Sequence, residues 1–250
     1  AYWPKYERFL RNNNLTWSFY DIHRSDWQKG AEKYDVIIWH PRSSPDFQSE
    51  AESKYYFLDK YLKKICYPSY DELWSYENKV RSYYLYTHFG LPSVPTFITC
   101  SRAEALEFIK NNDYPFISKI ETGSSSLGVI KIKNKRSAFR LVDYCFSRVG
   151  ESTYWPFLRQ INYVYFQQFI ESAKYDLRII IVGNKLFGYY RYAKAGDFKA
   201  SGAGIVEKKA LPEEAMKIAV RTKQALNATS LAVDMIYSEK SKEFYIIETS

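Results

Sequence analysis

Apolar and polar positions along this chain switch repeatedly between a helical period and a period of two. Near the start, "YWPKYERFLRNNN" has helical spacing and ends in asparagines that suit a turn. "TWSFYDIH" and "YDVIIWHP" then read as strands, the second nearly all apolar at its centre, as in a strand covered on both faces. An amphipathic helix is predicted between Asp46 and Lys64, followed by the short strand "ICYP". Strands and helices alternating in this way predict a parallel sheet covered by helices. "SYDELWSYENKVRSYYLYTHFGLP" opens on a capping signal from Ser69 to Glu72 and stops at Gly90 and Pro92, so it reads as one long helix with Ser75 as its weak point.

Further along come the strand "TFITC", a helix from Ser101 to Asn111, and two strands around a turn in "PFISKIETGSSSLGVIKI". A helix runs from Lys135 to about Arg148, and the stretch from Gly150 to Asn162 has no clear period. "VYFQQFI" is a strand, and "DLRIIIVGNKLFGYYRYA" is two strands turning at Gly183 and Asn184. The glycine-punctuated "GDFKASGAG" reads as a loop. A helix from Pro212 to about Asn227 precedes a last hairpin, "LAVDMIY" and "EFYIIETS". The sequence carries no internal repeat and no low-complexity tract.

Composition narrows the class. With 250 residues, 46% hydrophobic and 26% charged, the chain is globular and long enough for one to three domains. Its 24 tyrosines raise the aromatic share to 18%, mostly for core and amphipathic surface positions. A net charge of +8 attracts anions without choosing among nucleotides, acidic peptides and nucleic acid. The basic runs "IKIKNKR" and "VEKKALP" carry no nucleic-acid fingerprint. Cys66, Cys100 and Cys145 are odd in number and widely spaced, which argues against a disulfide framework or zinc site and favours a reducing cytoplasm. No apolar run approaches the roughly 20 residues that span a bilayer. No signal peptide is visible, and because the chain begins at Ala1 a preceding targeting segment stays open.

Two constellations carry candidate chemistry. Gly123 and Gly128 bracket Ser124, Ser125, Ser126 and Leu127, but Val129 and Ile130 stand where a P-loop needs Lys and Ser/Thr. Flanked by strands, the segment is either a hairpin tip offering N–H groups and hydroxyls to an anion, with Lys119 leading in, or an ordinary turn with a solvated lysine. Asp234 and Glu248 lie on the two strands of the last hairpin. If the loop is centred on Ser241 they fall opposite each other, Cβ atoms about 5 Å apart, and repel unless a divalent cation sits between them. If it is centred half a residue away they point to opposite faces. Oxygen-only ligands of this kind suit Mg²⁺.

Single residues say less. Lys79 and Arg81 fall in the long helix; Arg178 and Arg191 sit on paired strands, where an arginine wants an anionic partner, although Arg191 also suits a water-facing position. "QQFIESAKYD" fits an adenine edge followed by a ribose carboxylate, and equally an ordinary edge strand. His88 suits a helix end and His23 a loop, whereas His40 follows a buried strand, where α/β sheets gather ligands. No Ser-His-Asp or Cys-His arrangement has support.

In chain order, "NKVRSYYLYTHFGLPSVPTF", "YPFISKIETGSSSLGV", "QQFIESAKYDLRIIIVGNKLFGYYRYAKAGDFKASGAG", "LAVDMIY" and "YIIETS" resemble the ATP-grasp superfamily, most closely its ribosomal-protein glutamate ligases and glutathione-synthetase-like carboxylate–amine ligases. The likeness covers roughly Tyr70 to Ser250. It implies an α/β fold with α+β lobes: an N-terminal α/β domain and connecting helix over 1–93, a central lobe with a phosphate-covering loop over 94–168, and a C-terminal lobe with a metal site over 169–250. It implies that Lys79 and Lys119 hold nucleotide phosphates under the loop Gly123, Ser124, Ser125, Ser126 and Gly128. Gln168, Phe169 and Ile170 would meet adenine, Asp176 the ribose, and Arg191 and Lys199 the reacting phosphate, with Asp234, Glu248 and Ser250 on the metal. Three positions depart from the family pattern: Gln168 replaces a common glutamate, Lys199 a common arginine, and Ser250 the asparagine that usually completes the metal site.

The resemblance implies an ADP-producing ligase using ATP and Mg²⁺, with Mn²⁺ as a substitute, that joins a carboxylate to an amine through an acyl phosphate. Its partners would be small-molecule or peptide substrates, with no nucleic acid or membrane, and its place the cytoplasm. Rival readings are a kinase of the same fold, a degenerate ATP-binding protein, and a basic nucleic-acid-binding module with steep salt dependence. The ligase reading requires Asp234 and Glu248 to face each other and Lys79 and Lys119 to share one hollow.

Overall fold

The computed structural model describes residues 3–123, 126–171, 173–202 and 204–250. Ser124 and Ser125 of the expected phosphate loop lie outside them. The first unit contains α1 (Trp3–Asn12), α2 (Trp27–Ala31), β1 (Val36–Ile38), α3 (Pro45–Lys60) and β2 (Ile65–Tyr67). β1 and β2 pair in parallel, with Ile37 opposite Cys66, as the alternation predicts. α3 begins with Pro45 at its first position, where the missing N–H costs nothing, and buries Ala51, Tyr55 and Leu58.

Two expectations fail in this unit. "TWSFYDIH" forms no strand. Its rings pack locally instead: Trp17 and Phe19 lie 5.2 and 4.6 Å from Trp3 of α1, and the Tyr20 hydroxyl donates to the Trp27 carbonyl. β1 is covered on one face only, leaving Val36 and Ile38 47% and 36% exposed, because its sheet is two strands wide.

The long helix is two helices. α4 (Tyr70–Ser75) starts on a reciprocal capping box between Ser69 and Glu72. Tyr76 then turns extended, Glu77 adopts φ +55°, and the Asn78 side chain accepts from the Arg81 N–H to cap α5 (Lys79–His88). The break puts Lys79 in the first turn of a helix, with its backbone N–H donating to the Glu121 carbonyl at 2.8 Å.

The central elements are β3 (Thr96–Thr99), α6 (Arg102–Asn111), β4 (Phe116–Lys119), β5 (Val129–Ile132), α7 (Lys135–Cys145), a small hairpin β6 (Glu151–Ser152) and β7 (Arg159–Gln160), and β8 (Val164–Gln168). The hairpin occupies the stretch that had no period. An antiparallel sheet runs β3-β8-β4-β5. Phe116 and Phe166 pack beneath α6 and α7 with Ile109, Leu141 and Val142, so the alternate residues Ile117, Lys119 and Gln167 face the other way.

The last elements are β9 (Asp176–Val182), β10 (Lys185–Tyr192), β11 (Ile205–Glu207), α8 (Glu213–Ala225), β12 (Ser230–Ser238) and β13 (Glu243–Thr249), in an antiparallel sheet ordered β11-β10-β9-β12-β13. β9 and β10 turn at Gly183 and Asn184, as the dipeptide predicts. Leu177, Ile179, Val233, Met235 and Ile246 form a core with Ala215 and Ala219 of α8. By the same alternation Asp176, Arg178 and Asp234 lie on the opposite face.

Candidate functional site

The uncovered faces of these two sheets enclose a cleft of about 440 Å³. Of the residues expected at a site, Lys79, Lys119, Ser126, Gln168, Phe169, Ile170, Asp176, Lys199, Asp234 and Glu248 all line it. Asp234 and Glu248 are direct partners in the β12–β13 ladder. The register between Ser238↔Glu243 and Met235↔Ile246 places the turn half a residue off Ser241, and a bulge at Ile247 shifts it back before Asp234↔Glu248.

Both lysines come to the same place. Lys79 Nζ lies 3.1 Å from Glu248 Oε1 and donates to the Gly123 carbonyl. Lys119 is 8% exposed; burial lowers its ammonium to about 8, Glu248 opposes that, and the charge of Lys79 adds to it. An incoming polyanion therefore meets two cations in a site of low dielectric.

Four charged groups form a chain at the cleft wall, Arg178 to Asp234 to Arg191 to Asp176. Asp234 accepts from Arg178 Nε at 2.6 Å and Nη2 at 2.7 Å, and pairs with Arg191 Nη2 at 2.7 Å. Arg191 also donates to Asp176. Burial, and next the charge of Asp234, push the Asp176 carboxyl up. Arg191 is 7% exposed and does not line the cleft; of its two sequence-level settings it takes the anionic one and orients carboxylates.

The turn after Lys119 is shaped by close packing. Gly128 has φ +72°, and a Cβ there would fall 2.4 Å from two carbons of Ile120. The Gly123 carbonyl accepts from the Lys79 ammonium. At the outer edge, Lys131 Nζ sits 3.6 Å from the Phe169 ring centroid, and Phe198 approaches Phe169 edge-on at 6.0 Å.

Ser250 is placed elsewhere. It pairs by backbone with Ala232, at 2.9 and 2.7 Å, and lines a neighbouring hollow with His40 and Glu72 rather than the cleft. Glu77 was missed in the sequence, where it reads as an interior helix residue. Burial, and next the charge of Glu248, push its carboxyl up to about 7.

Asp234 and Glu248 present carboxylate oxygens across one rung of the ladder, the donor chemistry that a hard divalent cation such as Mg²⁺ takes, with water and phosphate completing its shell. Glu248 Oε1 has the Lys79 ammonium 3.1 Å away and both Asp234 oxygens are engaged by Arg178 and Arg191, so a cation bound there competes with these side chains. Among the described residues no group of three or more His, Cys, Asp or Glu is arranged to hold a metal ion. Among the described residues no helix is long and apolar enough to cross a membrane.

Residues 76–250 match the profile of the RimK-like ATP-grasp domain. The chain is 25% identical over 179 residues to the alpha-aminoadipate–LysW ligase LysX of Saccharolobus solfataricus, covering 70% of this chain and 61% of that protein. It is 27% identical over 172 residues to the tetrahydromethanopterin:alpha-L-glutamate ligase of Methanosarcina acetivorans, covering 66% and 51%. It therefore spans about half to three fifths of the length of the curated relatives it matches. Among solved structures, D-cycloserine synthetase DcsG superposes with a TM-score of 0.69 at 12% identity, over 99% of this chain and 85% of the other. The D-alanine–D-alanine ligase of Bacillus anthracis gives 0.64 at 16% identity, over 99% and 79%. These likenesses show the fold.

Proposed function

The chain belongs to the RimK-like ATP-grasp family, and from that premise we propose that it is an ATP-dependent ligase joining a carboxylate to an amine through an acyl phosphate. The observation that carries this reading is the convergence of Lys79 and Lys119 on a cleft whose other wall presents Asp234 and Glu248 in register. The nucleotide is clamped between the lobes 94–168 and 169–250, with 1–93 as the preceding domain.

In the first step a substrate carboxylate oxygen attacks the γ-phosphorus and the bond to the ADP oxygen breaks. In the second, an amine attacks the acyl-phosphate carbon, a C–N bond forms, phosphate leaves with the C–O pair, and the nitrogen gives up a proton. Mg²⁺, or Mn²⁺ in its place, would be held by Asp234 and Glu248 and supply charge neutralisation at the phosphates. Lys79 and Lys119 bind the phosphates, while Gln168 to Ile170 meet the adenine and Asp176 the ribose. Arg191 holds Asp234 and Asp176 in place, and Lys199 and Ser126 line the same cleft. Positioning and charge carry the catalysis.

LysX and the glutamate ligases are named for amino-acid substrates; here the substrates are a small-molecule or peptide carboxylate and amine. Lys194 and Lys199 at the cleft rim suit an anionic substrate or peptide. Cytoplasmic action goes with this reading and with three free cysteines.

The test is Mg²⁺-dependent ADP release across a panel of amino acids and short peptides, with hydroxylamine added to capture the acyl phosphate as a hydroxamate. ADP release with a hydroxyl acceptor and no hydroxamate would instead identify a kinase. Absence of any thermal protection by ATP would remove the nucleotide site altogether.

A further inference from the structure

A pocket of about 220 Å³ opens where the start of α3, the break between α4 and α5, and the turn after β4 meet, and it shares no lining residue with the cleft. Asn78 and Thr122 line it and are joined to each other by an isolated β-bridge. One residue further along each segment, Lys79 lines the cleft and donates to the Gly123 carbonyl. The pocket therefore adjoins the backbone that carries a phosphate-binding lysine.

Charge on the pocket wall is uneven. Among the described residues the wall has two carboxylates, Glu52 and Glu121, against one guanidinium, Arg81, which leaves it one net negative charge. Arg81 is already engaged: Nη1 donates to Glu52 at 2.9 Å and to the Trp74 carbonyl at 3.0 Å, and the guanidinium lies 5.1 Å from the Trp74 ring centroid. Glu121 has no such counter-charge. Asn78 Nδ2 donates to its Oε1 at 2.8 Å, and among the described residues Glu121 forms no ion pair. A carboxylate accepts through two oxygens, so capacity is left for a guest. Leu73 and Trp74 add apolar surface on the same wall. An anionic guest would add to the net negative charge, and a neutral one would leave Glu121 without a counter-ion.

We propose that this pocket binds a small organic ammonium, its charged end at Glu121 and a short apolar body against Leu73 and Trp74. The site lies outside the cleft and does not depend on the ligase reading; its link to the nucleotide does. The Glu121 carbonyl accepts the Lys79 N–H at 2.8 Å, and the Asn78 side chain that holds Glu121 also caps α5 by accepting the Arg81 N–H at 3.0 Å. A cation added beside this support offsets a negative charge that opposes the nucleotide phosphates. Each ligand then raises the affinity of the other by the same factor. A cavity of about 150 Å³ holds benzene, so isobutylamine and benzylamine are probes of fitting size.

The test is ligand-observed NMR on the full chain near neutral pH without nucleotide, with those two amines beside isobutanol, benzyl alcohol and benzoate. Only the amines should bind. Binding should be lost in Glu121→Gln, which keeps an acceptor for Asn78, and in Ser49→Phe, which adds a ring at an exposed lining position of α3; if the first does not fold, the second serves. Saturating benzylamine should lower the Kd for MgATP about fivefold, the low end of typical couplings, and that effect should vanish in both variants. No amine binding, equal binding of the alcohols, or binding that survives both substitutions overturns the inference. So does competition between amine and ATP, which would put the amine in the cleft. If ATP does not bind at all, the ligase reading fails and the NMR comparison still decides the pocket.

Discussion

Asp234 and Glu248 face each other across the β12–β13 ladder one residue beyond a bulge at Ile247. Continued without the bulge, the register of Met235↔Ile246 would set Asp234 opposite Ile247 and turn Glu248 to the core face, since a one-residue slip reverses every side chain. The pairing of the two carboxylates is therefore a property of one extra residue, not of the turn.

Glu248→Gln should lower kcat by about 10²–10³-fold, the loss typical of one electrostatic group at a reacting centre, while ATP still protects against heating without Mg²⁺. Steady-state ADP release and a thermal-shift titration read the two halves. An unchanged kcat would remove Glu248 from the site.

Asp234→Ala should cost stability as well as activity. It strips Arg178 and Arg191 of a shared acceptor that is 3% exposed. Breaking a buried ion pair from one side costs about 3–5 kcal/mol, measurable by urea unfolding of the protein without nucleotide.

Nucleotide affinity should depend on pH through Lys119. Phosphate binds the protonated ammonium, which burial lowers to about 8 in the free protein. Affinity is therefore full below about pH 8 and falls by up to about tenfold per pH unit above it, until the nucleotide-bound value is reached. Titrations between pH 7 and 9.5 should show this slope, and Lys119→Met should flatten it while weakening binding throughout.

Gly128→Ala should destabilise the protein by about 1–3 kcal/mol, combining overpacking with backbone strain. The added Cβ would meet Ile120 at 2.4 Å from a residue at φ +72°. Pairing it with Ile120→Ala should restore part of the loss, which a double-mutant cycle of unfolding measures.

Phe198→Ala should raise the KM for ATP several-fold with little change in unfolding midpoint. The ring meets Phe169 edge-on at 6.0 Å, a contact worth about 0.5–1.5 kcal/mol between loop and linker.

Much of this was legible in the chain because local period and turn chemistry agree. Gly183-Asn184 marks its hairpin, and the Ser69 to Glu72 capping box marks its helix start. Lys119 follows from its strand, since period two fixes which face it takes. What escaped was set by contacts distant in sequence. Glu77 takes a left-handed backbone where Asn78, next to it, bonds Glu121 through its side chain at 2.8 Å, a partner 43 positions away. Trp17 and Phe19 have strand propensity, but their rings meet Trp3 of α1. Arg191 was legible as an arginine wanting an anion; that the anions would be Asp176 and Asp234 needed the register of three strands.

The split of the long helix at Tyr76 to Asn78 has a chemical corollary for the lysine that follows it. An ammonium has three protons. Among the described residues, Gly123 takes one and the Glu248 carboxylate attracts another. The third is left to point at a guest oxygen, so the side chain that stitches helix, turn and far wall together can greet a phosphate without letting go of any of them.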